Sequence, residues 1–217
     1  MKMLRAGFLT LVLLFAACAH LPTLSPVAED AKTVAQRCRQ AYPHQPWRAT
    51  HAIFATLPFG NNGGLVGVTA AGPDGLHAIL LSPEGISLFD GVQNNRNPLA
   101  PELKVERAVP PFDRTDFAAS LMADVGTAYL PPAGEPTAIG TYATGETVCR
   151  WTPSRGETTD IQLGPDAPQA IRTFERMHLT REIFLVGKPE DGFYPNVILS
   201  VPGAGGYRLE MQLVDHE

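Results

Sequence analysis

Tyr207-Arg208-Leu209-Glu210-Met211-Gln212-Leu213-Val214 alternates apolar and polar residues at nearly every step. A period of two marks a strand covered on one face, so Tyr207, Leu209, Met211 and Leu213 share a buried side while Arg208, Glu210 and Gln212 meet water. Comparable short apolar segments recur upstream, and strands are expected over residues 49–57, 65–71, 76–81, 86–92, 103–109, 137–143, 146–152, 157–163, 171–177, 182–186, 196–201 and 207–214. Gly and Pro, twenty of each, fall mostly between these segments, as the punctuation of a many-turned β chain. Ser82-Pro83-Glu84-Gly85 has the length of a tight hairpin turn, which would set Ile79 opposite Leu88, Leu81 opposite Ile86 and His77 opposite Asp90.

Two segments read as helices. In the first, Ser25 can cap, Pro26 suits the first helical position, and Val27, Ala31, Val34, Ala35 and Cys38 fall on one face before Pro43 and Pro46 stop it. In the second, Asp113 or Thr115 can cap. Phe117, Leu121, Val125 and Tyr129 form a stripe widened by Ala118 and Met122, ending at Pro131 and Pro132. No repeat, low-complexity tract or composition shift divides the chain. The fold class is therefore mainly β with a few helices (α+β), in one domain.

The N-terminus carries its own signal. Lys2 and Arg5 precede a short apolar run over residues 7–15, which ends in Phe15-Ala16-Ala17-Cys18. That ending resembles the bacterial lipoprotein box, with Phe15 where Leu is usual, and implies cleavage before Cys18 and lipidation of Cys18. An ordinary secretory signal with a chance cysteine is the alternative. The expected organisation is a lipoprotein signal peptide over residues 1–17, a lipid-anchored tether over 18–26, and a single domain over 27–217. Ala19, where Asp would retain a lipoprotein at the inner membrane, points to the outer membrane and a periplasm-facing domain. The inner membrane and the cell surface stay open. Several acyl chains anchor stably, each buried methylene contributing about 0.8 kcal/mol.

Without Lys2 and Arg5 the chain holds 15 basic and 22 acidic side chains, a formal charge of −7. No basic patch survives to bind nucleic acid. Cys38 and Cys149 are an even pair in an oxidising compartment and are expected to form a disulfide, two buried free thiols being the alternative. No activated nucleophile is legible: Ser87, Ser120, Ser154 and Ser200 lack the Gly-x-Ser-x-Gly elbow. The six histidines make no metal spacing. Glu175 with His178, and His77 with Asp90, read as surface or strand-edge pairs. The expectation is no catalytic residue, no metal, no cofactor, and a monomer.

The order of elements (a helix, antiparallel strands, a middle helix, further strands) resembles the LolA/LolB family of periplasmic lipoprotein carriers. Residues 80–89, Leu80-Leu81-Ser82-Pro83-Glu84-Gly85-Ile86-Ser87-Leu88-Phe89, are similar to a family hairpin whose Pro-x-Gly turn joins two apolar strands. Residues 146–152 with 158–163 resemble the later hairpin beside the helical lid. The resemblance implies a curved antiparallel sheet, an incomplete β-barrel covered by helices, and an apolar cavity for acyl chains of lipid or lipoprotein. One departure stands out. The family's outer-membrane lipoproteins place a protruding loop with an exposed apolar residue between the third and fourth strands, where residues 82–85 leave no room. Phe59 is the nearest exposed apolar candidate, on a different hairpin. The cavity residues expected are Ile79, Leu88, Trp151, Ile161, Leu209, Met211 and Leu213. The competing expectation is a packed core in an accessory subunit of an envelope assembly.

Overall fold

The computed structural model describes residues 20–44, 46–57, 62–94, 102–110, 112–153, 156–203 and 205–217; the leader, Cys18 and Phe59 lie outside them. Helix α1 (Ala31–Arg39) precedes a five-strand meander of β1 (Trp47–Thr56), β2 (Asn62–Gly72), β3 (Gly75–Leu81), β4 (Ser87–Asn94) and β5 (Glu102–Ala108). Helix α2 (Thr115–Tyr129) leads to β6 (Ala138–Thr141), β7 (Thr147–Trp151), β8 (Glu157–Leu163), β9 (Pro168–Glu175), β10 (His178–Val186), β11 (Asn196–Val201) and β12 (Tyr207–His216). Each expected strand has its counterpart here.

All twelve strands form one sheet in the order β5-β4-β3-β2-β1-β12-β11-β10-β9-β8-β7-β6. Two meanders are thus zipped together by β1 and the C-terminal β12, antiparallel like every other pair. The sheet ends at β5 and β6, which do not pair, so the barrel stays incomplete. The chain must nevertheless pass from β5 to β6, and α2 lies on that crossing. Short, uncrossed connections leave the open concave side as its route.

Cross-strand register sorts the two faces. Cys149, Ile161, Ile171, Ile183, Leu199, Leu209 and Ala55 are successive partners from β7 to β1 and form a continuous apolar row on the concave face. One residue along, Arg150, Asp160, Arg172, Glu182, Ser200 and Arg208 form a polar row on the opposite face. Arg150 donates to both oxygens of the buried Asp160, at 2.7 and 2.6 Å, and Arg172 donates to Glu182 at 2.7 Å. Strand alternation therefore decides which face is core and which is ladder. In β12 the inward residues are Tyr207, Leu209, Met211 and Leu213, as the period of two requires.

Helix α1 closes one end of the apolar row. Val34, Ala35 and Cys38 are buried, and Cys38 is disulfide-bonded to Cys149 on β7 with a Cα–Cα distance of 6.4 Å. The helix starts later than its expected cap at Ser25. Ser25 exchanges two backbone hydrogen bonds with Thr141 on β6, at 2.9 and 2.8 Å, and is committed to the sheet edge. Asp30 caps instead, its carboxylate accepting from the Thr33 amide at 3.0 Å. Helix α2 is preceded by Arg114, which makes no side-chain cap; the side chain of Thr115, an expected cap, lies outside the described ones.

The segment expected to be a free tether is docked from His20 onward. Beyond the Ser25 bridge, the Pro22 carbonyl accepts from Arg150 at 2.9 Å, and Leu21 donates to the Met177 carbonyl at 2.8 Å. An unpaired edge strand offers free backbone groups, and the chain at hand takes them. The β3–β4 hairpin also departs from its expected register: Ile79 faces Asp90 and Leu80 faces Phe89, with an irregularity after Leu80. The slip puts Leu76, Ala78, Leu80 and Phe89 inside, filling the core with the larger Phe89 ring in place of Leu88. His77 and Asp90 still meet diagonally at 2.7 Å, as a half-exposed pair.

Candidate functional site

A cavity of about 60 Å³ lies between α2 and the concave face of β1, β2, β3 and β12. Phe117, Leu121, Val125 and Tyr129 form its α2 wall, which is the stripe read from the sequence. The sheet wall comes from His51, Ile53 and Ala55 on β1, Leu65, Gly67 and Thr69 on β2, residues 78–80 on β3, and Tyr207, Leu209 and Met211 on β12. Leu57, just past β1, stands at the rim with Leu65 and Tyr207. The lining is almost wholly carbon, as suits a slot for a flexible apolar ligand.

Polar groups gather toward one end. The buried His51 imidazole lies 3.0 Å from the Tyr129 hydroxyl on α2. Burial lowers the His51 pKa from 6.5 to about 4, so the ring is neutral at pH 7. Burial likewise raises the Tyr129 phenol well above its usual value. Thr69 Oγ1 is buried in the same wall with no hydrogen-bond partner among the described residues.

Farther along α2, Asp124 is 1% exposed and its Oδ1 accepts from Arg181 Nε on β10. Its Oδ2 has no hydrogen-bond partner among the described residues. Burial outweighs the guanidinium's attraction and pushes the Asp124 carboxyl from 3.8 up to about 6. The Asp124–Arg181 ion pair, the Tyr129–His51 hydrogen bond and an apolar face thus hold α2 to the sheet. Asp124 belongs to the inward face by spacing, seven residues after Phe117 and three after Leu121, so its burial was legible as a charge on an apolar stripe. His51 shares strand parity with Ala49, Ile53 and Ala55, and Arg181 with Ile183 and Leu185. Sequence reasoning missed all three because polar residues were sought as motifs.

Of the expected cavity residues, the structure brings Leu209, Met211 and Ile79 to this slot. Ile79 sits at its margin, since Ala78 and Leu80 carry the buried face of β3. Leu88 and Leu213 are half-buried and pack against the core outside the cavity wall. Ile161 is buried against α1, its carbonyl facing Cys38. Trp151 instead lines a second pocket with Ala123, Gly126 and Thr127 of α2 and Leu130 just past it, and donates through Nε1 to the Gly134 carbonyl at 3.2 Å. The cavity is lined by α2 and not by α1, which the disulfide holds against β7 and β8.

No protein-family model matches the chain, and no curated protein sequence matches it. Its fold does have solved counterparts. A LolA superfamily protein from Nitrosomonas europaea superposes with a TM-score of 0.53 at 9% identity, over 88% of this chain and 94% of that one. A domain from Vibrio parahaemolyticus named for outer membrane lipoprotein sorting gives 0.52 at 9% identity, over 87% and 93%. A DUF1329 family protein from Desulfovibrio piger gives 0.53 at 9% identity, over 86% and 91%. The chain therefore has the LolA/LolB-like fold, an open twelve-stranded antiparallel half-barrel with two helices among the described residues.

Proposed function

We propose that this chain is an outer-membrane lipoprotein, anchored through Cys18, that takes an acyl chain of a lipid or of another lipoprotein into the slot beneath α2. The observation that carries this reading is the slot itself, apolar over most of its lining with its polar groups gathered at one end, and covered by α2. Among the described residues no helix is long and apolar enough to cross a membrane. The closed slot is far too small for a long acyl chain. Entry requires α2 to lift, breaking its contacts through Asp124 and Tyr129, while the disulfide-clamped α1 end stays in place. Each methylene then buried contributes about 0.8 kcal/mol.

The same small volume favours the competing reading, an accessory subunit with a packed core. A fluorescent fatty-acid probe separates them. Wild-type protein should bind the probe. Leu209→Glu, which sets a charge in the wall at a half-buried position, should abolish binding while the circular dichroism spectrum is kept. A wild-type protein that takes up no probe supports the packed-core reading instead.

A further inference from the structure

The N-terminal strap sets the point at which an anchor on Cys18 would leave the domain. From β6 it crosses the polar face of the sheet, held at Thr141, at Arg150 and at the Met177 carbonyl. It ends at His20, which bridges to His178 at the start of β10, the two rings 5.2 Å apart. Gly140 makes the docking possible: a Cβ there would lie 2.5 Å from the Ser25 carbonyl oxygen and 2.9 Å from the Leu24 Cβ. Cys18 is two residues before His20, a reach of about 7 Å at full extension. An anchor on Cys18 must therefore leave the domain beside the β9–β10 turn.

That turn is unusual. It consists of Arg176 and Met177, with φ of 48° and 72°, a two-residue reversal that ordinarily favours Asn-Gly. Met177 is 57% exposed, and Arg176 is exposed beside it. An apolar side chain next to a cation, held out on a turn whose residues do not suit its backbone, matches an interface of acyl chains beneath anionic phosphate groups. The rim is also the right one. Because neighbouring strands run antiparallel, the end of β1, the start of β2, the start of β12 and the β9–β10 turn all lie at one end of the sheet. Leu57, Leu65 and Tyr207, which edge the slot, stand on that rim.

We infer that this rim lies on the lipid surface, with Arg176 and Met177 as its contact point, so that an acyl chain leaving the bilayer meets the slot without crossing the sheet. The inference rests on lipidation of Cys18. The test uses the full-length lipoprotein in vesicles of phosphatidylethanolamine and phosphatidylglycerol containing brominated lipid. An environment-sensitive fluorophore is placed at Met177→Cys or at Asp166→Cys, the latter in the β8–β9 loop on the opposite rim. Quenching at position 177 should exceed that at 166 several-fold, and Gly140→Val, which dislodges the strap, should reduce the difference. Equal quenching at both positions, or none at 177, overturns the orientation while palmitate on Cys18 is present. Absence of palmitate overturns the anchor and the orientation together. Leu209→Glu should leave the quenching pattern unchanged, which separates this result from the fate of the acyl-binding reading.

Discussion

Replacing His51 or Asp124 should separate two acid titrations that oppose each other in the intact protein. Neutral His51 is favoured by burial, with a folded pKa of about 4 against 6.5 when exposed. Its contribution to stability is fully present above pH 6.5 and is lost as pH falls through about 4. Asp124 behaves in the reverse sense, because burial raises its carboxyl from 3.8 to about 6. Its contribution is fully present below pH 3.8 and is lost as pH rises through about 6. Each shift spans about two pH units, roughly 3 kcal/mol. Between pH 7 and pH 4 the protein therefore loses about 3 kcal/mol through His51 and gains about as much through Asp124. His51→Gln should be stabilised at pH 4 relative to pH 7 by about 3 kcal/mol compared with wild type, and Asp124→Asn destabilised by a similar amount. Urea denaturation across this range measures it, and comparing each variant's pH 7 to pH 4 difference cancels the constant cost of lost contacts. Two variants shifting in the same direction, or both running parallel to wild type, would refute the reasoning.

Arg181→Met should cost about 3–5 kcal/mol by leaving the Asp124 carboxylate buried without its partner, and adding Asp124→Leu should recover most of it, read as midpoints of thermal unfolding. Cys38→Ala with Cys149→Ala opens a loop spanning 111 residues and should cost up to about 4.7 kcal/mol, with amide exchange rising first in α1. Cys18→Ala should leave an unprocessed precursor that incorporates no labelled palmitate; normal maturation of that variant would reject the lipoprotein box.

The fold was legible wherever a residue's environment follows from local alternation. The twelve strands and the stripe of α2 are periodic, and β12 shows both faces at once. Register was less legible: the β3–β4 slip depends on which of Leu88 or Phe89 fills the interior better, a question of packing volume across strands. The docked strap was invisible because Gly140, which admits it, lies over a hundred residues away. At the site, the apolar wall at Leu209 and Met211 followed from parity. Trp151 and Ile161 share the inward face but lie farther along the sheet, away from this slot, a separation set by sheet order and not by parity.

Native mass spectrometry of the folded domain, released gently from its host membrane, tests the acyl-binding claim most directly. The account predicts a population carrying one added mass of an acyl lipid or lipoprotein, lost in Leu209→Glu. Bare protein in both samples, with no uptake of added fatty acid, would contradict it.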